Sequence, residues 1–191
     1  DCKKALTAAN GDMELALENL RKSGIAKAEK KAGRSTNEGK VWTGIADGKA
    51  VIVEMLCETD FAAKTPKFAG LVDSVVAAAL DVDAEGDVTA AVNEKAEAVI
   101  TSHIATIGEN MSIRRFDIIE GDLVSYIHGK GSIGVIVKFE ADEAAAANEG
   151  YAEVKKNVAL HVAAQAAVPY IAREDVPASV IAEEKSVLLA Q

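Results

Sequence analysis

Aromatic side chains are scarce: four Phe, three Tyr and one Trp make up 4% of 191 residues, although 49% of the chain is hydrophobic. The core must therefore be built from Ala, Val, Ile and Leu, and an aromatic ring left exposed needs a reason of its own. Cysteine is nearly absent. Cys2 and Cys57 lie far apart, with neither redox-pair nor metal-ligand spacing. This excludes a disulfide scaffold and predicts free thiols in a reducing, cytoplasmic setting. The three histidines share no metal spacing with carboxylates, so neither metal nor cofactor is expected. Positive charge is also in deficit: 21 Lys and Arg against 30 Asp and Glu leave a net charge of −9. A binder of phosphate backbones needs the opposite balance, so no direct nucleic-acid contact is expected. No apolar run is long enough for a membrane span, and no signal-peptide pattern is present. A protein partner is the better expectation for so acidic a chain.

Enzyme signatures are missing as well. "HGKGSIG" (128–134) lacks the spacing of a phosphate loop or a dinucleotide fingerprint, and it sits between two strands where those motifs require a following helix. Ser125, His128 and Asp122 have no nucleophile elbow around them. The chain is expected not to be an enzyme.

What is present is ordered by period. "DCKKALTAANGDMELALENLRKSG" (1–24) predicts two short helices, with Asn10-Gly11-Asp12 as stop, turn and N-cap. Such a pair wants a third helix, and the chain opens at Asp1 without Met, so a fragment of something longer is expected. Residues 25–40 are rich in Lys and Arg and read as a basic linker, either a solvated tether, an exposed helix, or a contact for an acidic partner. From Val41 strand patterns begin, with Asp47-Gly48 as a hairpin turn between "VWTGIA" and "AVIVEMLC". Helices follow over 68–80, with Phe68, Leu71, Val72, Val75 and Val76 inward, and over 87–108, started by Asp87 and stopped by Gly108. Strands return at 112–119, 123–128 and 132–139, and a helix closes 149–166. His103 and His161 fall on helical faces at the edge of the core.

An internal repeat lies under this order. Laying residues 45–64 over 127–147 matches the hairpins in kind, with Glu58 on Glu140, Asp60 on Asp142, Ala62 on Ala144 and Ala63 on Ala145. Phe61 falls on Glu143, so the position is expected to face solvent in both copies. Phe61 is then either an interface anchor or a ring folded back to cap the core, and Asp60 either a partner contact, the N-cap of a short turn ahead of Lys64, or both.

"TDFAAK" (59–64) resembles the best-known core motif of the bacterial elongation factor Ts family. "IGENMSIRR" (107–115), "SYIHGKGSIGV" (125–135), "LHVAA" (160–164) and the opening 24 residues are similar to further family segments, in family order. The resemblance implies an α+β fold: an incomplete UBA-like helical module (1–24), the linker (25–40), an N-terminal core subdomain (41–111), a related C-terminal one (112–180), each of antiparallel strands packed with helices, and the start of a further helix (181–191). It implies a guanine-nucleotide exchange factor for elongation factor Tu in protein biosynthesis. Thr59, Asp60 and Phe61 would enter the Tu G domain near its magnesium and nucleotide phosphates. Ile107, Gly108 and His128 would make secondary contacts, His128 being a plain turn residue without the family. Ser132 stands where many members carry Arg. The resemblance also allows a homodimer through the C-terminal core subdomain. The alternative is a non-catalytic interaction fragment that binds its partner without promoting exchange.

Overall fold

The computed structural model describes residues 2–83, 86–165 and 168–190. Helix α1 (Cys2–Ala8) ends where Asn10 and Gly11 take φ of +51° and +86°, a region that Asn and Gly reach most cheaply. Asp12 then accepts the Leu15 N–H at 3.0 Å and caps α2 (Met13–Glu29). This helix does not stop at Gly24. It runs on through Ile25–Glu29, the first part of the expected linker, because these residues are good helix formers and a single glycine costs a helix only about 1 kcal/mol.

Strands β1 (Glu38–Ala46) and β2 (Lys49–Cys57) form an antiparallel hairpin. Asp47 and Gly48 both have positive φ, +52° and +75°, the two-residue turn whose twist suits paired strands. Along β2, Val51, Val53, Met55 and Cys57 alternate inward and are fully buried. The one-turn helix α3 (Asp60–Ala63) follows, then α4 (Pro66–Leu80), capped by Thr65 with Pro66 at its first position. Helix α4 buries Phe68, Leu71, Val72, Val75, Val76 and Ala79, the face its period predicts. A two-residue strand β3 (Gly86–Asp87) precedes α5 (Thr89–Ile107), which buries Val92, Ala96, Ile100 and Ile104. Asp87 is thus not the first residue of that helix: it pairs in β3, and its carboxylate accepts the Thr89 N–H at 3.0 Å.

Strand β4 (Met111–Glu120) lies antiparallel to β2, giving a sheet of order β1-β2-β4-β3. The division expected between residues 111 and 112 therefore falls at the head of a strand that belongs to the first sheet. Its burial alternates as Met111, Ile113, then Phe116, Ile118, with exposed Arg114 and Arg115 where the period slips. The register shift opposite Glu54 and Met55 accounts for the slip, and both guanidiniums reach the Glu54 carboxylate, at 2.8 and 2.6 Å. Helices α4 and α5 cover one face of this sheet and enclose the core.

Strands β5 (Asp122–His128) and β6 (Ile133–Phe139) make a second, two-stranded antiparallel sheet. It packs against β1: the Val41 N–H donates to the Gly131 carbonyl at 2.9 Å, and a Cβ on Gly134 would overlap the Val41 side chain. Beyond it come α6 (Glu143–Ala146), α7 (Tyr151–Ala164), a 3-10 turn at Arg173–Asp175 and α8 (Ala178–Leu189). The end expected for the closing helix, residue 166, lies outside the described residues.

Each of the two hairpins is followed by a one-turn helix, with one difference from the sequence register. Thr59 caps α3 by accepting the Ala62 N–H, whereas Asp142 caps α6 by accepting the Ala145 N–H. The second copy has one more residue between strand and turn, so Phe61 corresponds to Ala144 in the turn, not to Glu143.

Candidate functional site

The turn that carries Phe61 is built from its cap outward. Thr59 is extended, and its Oγ1 accepts the Ala62 N–H at 3.2 Å. In so short a helix, Ala62 and Ala63 face the core and are buried, which leaves the side chains of Asp60 and Phe61 directed away from it. Phe61 is 80% exposed, so the ring does not fold back to cap the core. Asp60 is the first residue of the turn and not its cap. It meets Lys64 at 2.6 Å, and this hydrogen bond holds the Asp60 carboxyl below, and the Lys64 ammonium above, their ordinary ranges.

The turn is held from the far end of α5. Gly108, at φ +93°, closes that helix, and Glu109 reaches back to accept the Thr59 N–H at 3.0 Å and the Thr59 hydroxyl at 2.6 Å. Next to it, the Asn110 N–H donates to Glu58 at 2.6 Å, and Glu58 also meets Arg34 at 3.4 Å. The Asn110 side chain donates to the carbonyls of Arg34 and Ala32, at 2.8 and 3.3 Å, and Lys31 donates to the Gly108 carbonyl at 2.6 Å. Residues 31–34, 58–60 and 108–110 thus form one polar clasp beneath Phe61. Ile107 packs half-buried against the core, and Gly108, within the clasp, is exposed.

His128 opens the turn of the second hairpin. Its Nδ1 lies 3.1 Å from the Tyr126 hydroxyl, and the ring is exposed. Gly129 to Ser132 face Asp60, Ala63 and Lys64 across a groove bordered by Glu38 and Lys40. The hydroxyl of Ser132 donates back to the His128 carbonyl at 3.2 Å. Thr59, Asp60 and Phe61 are therefore gathered with Ile107 and Gly108 through Glu109, and with the His128 turn across the groove. His103 sits at the core edge, bonded to the Val99 carbonyl at 2.8 Å, but His161 is exposed.

The sequence places Lys31 and Arg34 in the basic linker and Glu109 and Asn110 within the 107–115 segment, but it gives none of the four a part in holding the Phe61 turn. The available signal was an acid and an amide directly after a helix-stopping glycine, a place where polar side chains can serve a neighbouring turn. Among the described residues no group of three or more His, Cys, Asp or Glu could hold a metal ion, and no helix is long and apolar enough to cross a membrane.

Residues 58–191 match the family model described as "Elongation factor TS", a match that begins at Glu58 within the clasp. The chain is 46% identical over 188 residues to elongation factor Ts of Vibrio parahaemolyticus, an alignment covering 98% of this chain and 62% of the relative. It is 45% identical over 193 residues to elongation factor Ts of Tolumonas auensis, covering 98% of this chain and 63% of that protein. With a Shewanella elongation factor Ts the identity is 46% over 189 residues, covering 97% and 61%. The chain thus spans a little under two thirds of the length of these relatives. The family match across its larger part, and identities of this order along nearly all of it, place the chain in the elongation factor Ts family.

Proposed function

We propose that the chain is a guanine-nucleotide exchange factor of translation elongation, which binds elongation factor Tu and promotes GDP release without making or breaking a covalent bond. The observation that carries this reading is Phe61: a ring 80% exposed, in a protein with few rings, on a turn anchored by a polar clasp. Such a ring suits insertion into an apolar crevice of a partner. Asp60 enters beside it, while Ile107, Gly108 and His128 give secondary contacts. The two hairpin-and-turn units are read as related subdomains that present these contacts together.

The physics is one of displacement. Magnesium holds nucleotide phosphates through near-octahedral oxygen geometry, so a small shift of a ligand-bearing element in the partner weakens the site sharply. Burying the Phe61 ring gives roughly 1.5–3 kcal/mol, about tenfold to a hundredfold in an equilibrium constant, so further contacts must share a larger effect. Coupling is reciprocal: a factor that weakens nucleotide binding is itself released when nucleotide rebinds.

The test is fluorescent GDP release from elongation factor Tu with this chain and with Phe61→Ala, alongside binding to nucleotide-free Tu. Release by the parent chain, slowed about tenfold to a hundredfold in Phe61→Ala, is the expected outcome. Binding without release would make the chain a docking fragment and overturn the exchange reading.

A further inference from the structure

We infer that Glu109 is a positioning residue for nucleotide release: its carboxylate fixes the turn that carries Phe61, so the direction of the ring is set from the end of α5. The inference rests on the exchange reading above. Both oxygens of Glu109 are engaged on Thr59, Oε2 by the N–H at 3.0 Å and Oε1 by the hydroxyl at 2.6 Å. A threonine hydroxyl has one proton and two acceptor sites. Giving the proton to Glu109 fixes the rotamer and leaves a lone pair for the Ala62 N–H at 3.2 Å, which is the cap of the turn.

A helix of four residues has almost no stability of its own, so its direction depends on what grips its ends. At the far end Thr65 grips it, donating to the Ala62 carbonyl at 2.8 Å and accepting the Phe68 N–H at 3.2 Å, which ties the turn to α4. At the near end the grip is Glu109. Phe61 lies between the two, and its exposed ring has little packing within the chain to orient it. A ring that displaces part of a partner transmits force through its own backbone. On a loose turn it would swing aside, binding the partner without moving it. A charge-assisted clamp across both donors of Thr59 prevents that, and it predicts that Glu109 governs release more than binding.

Two measurements test this. The first is amide hydrogen exchange at Thr59 and Ala62 in the isolated chain. The second is GDP release from elongation factor Tu across a range of chain concentrations, for the parent, Glu109→Ala, Glu109→Gln, Phe61→Ala and the double variant Glu109→Ala with Phe61→Ala. Thr59→Val, which removes the hydroxyl from the other side, serves as a second probe should Glu109→Ala fold poorly. Glu109→Ala is expected to speed hydrogen exchange at both amides. It should also lower the maximal release rate about tenfold, the scale of a lost charge-assisted hydrogen bond, with little change in the half-maximal concentration. Glu109→Gln can still accept the Thr59 N–H and donate to Oγ1, and should restore most of the rate. In the Phe61→Ala background, Glu109→Ala should have no further effect, because the group it positions is gone. A parent that releases GDP with an unchanged maximal rate in Glu109→Ala, or an equal loss in both backgrounds, would overturn the positioning role. A parent that binds without releasing GDP would overturn the exchange reading and the positioning role with it, and the parent trace alone tells the two failures apart.

Discussion

The carboxylate of Glu58 accepts the backbone N–H of Asn110 at 2.6 Å, joining the exit of β2 to the entry of β4 at the one buried polar side chain among the described residues. Asn110 extends the link with its own amide to the carbonyls of Ala32 and Arg34. Those carbonyls belong to a segment with no partner strand, which Asn110 pins together with the Lys31–Gly108 and Arg34–Glu58 contacts. Asn110→Ala should cost about 1–3 kcal/mol, the net worth of the two hydrogen bonds that its amide donates. Asn110→Asp should cost more, since a carboxylate would then face two carbonyl oxygens. Urea unfolding gives the loss, and faster trypsin cleavage after Lys31 and Arg34 should show where it falls.

Much of this arrangement is legible in the sequence, but only where the interactions are local. The Asp47-Gly48 turn, the buried face of α4 and the stop at Gly108 each follow from a few neighbouring residues whose backbone preferences agree. The exposure of Phe61 could be anticipated because the repeat opposed it with a charge, even though the true counterpart proved to be Ala144. Pairing of β4 with β2 could not be read, because a strand with a half-apolar pattern fits several partners and the choice is made by long-range packing. Glu109 escaped for a similar reason: its partner Thr59 lies fifty positions away, and no periodicity links them. The overrun of α2 past Gly24 shows the reverse error, a local stop signal overridden by the helix formers that follow it.

Gly39 should be intolerant of a side chain. It lies in β1 at φ +154°, and a Cβ would come 2.8 Å from the Leu56 Cα and 3.0 Å from the Met55 carbonyl carbon, backbone atoms of the paired strand that cannot rotate away. Gly39→Ala therefore pushes β1 off β2 at the border of the groove beside Asp60. A loss of about 3 kcal/mol, lowering the melting temperature by roughly 6–12 °C, is expected. Gly70→Ala is the control. It lies in α4 with nothing within 4 Å of the added carbon, and should stabilise the chain by about 0.5–1 kcal/mol. Thermal melts of the two variants should move in opposite directions.

The two thiols should behave differently, and in a way that pH reveals. Cys2 is exposed, whereas Cys57 is buried at the end of β2. Burial, followed by the nearby Glu109 carboxylate, pushes the Cys57 thiol from 9.0 up to about 11. Only the thiolate reacts, so at pH 8 a thiol reagent should label Cys2 promptly, and Cys57 slower by about a hundredfold or more until the chain is unfolded. The same shift makes stability depend on alkali. An acid whose folded pKa is raised binds more protons in the folded state than in the unfolded one between the two values. Its contribution is fully present below 9.0 and is lost as pH rises through about 11. The effect is read as a difference between the parent and Cys57→Ala, which cancels every contribution the two chains share. Urea unfolding of the two should give a constant offset from pH 7 to 9, and the parent should lose stability relative to Cys57→Ala between pH 9 and 11. Parallel curves through that window would mean that Cys57 ionises as readily in the fold as in the open chain, and the buried, acid-flanked thiol would then be the wrong description of the floor beneath Thr59.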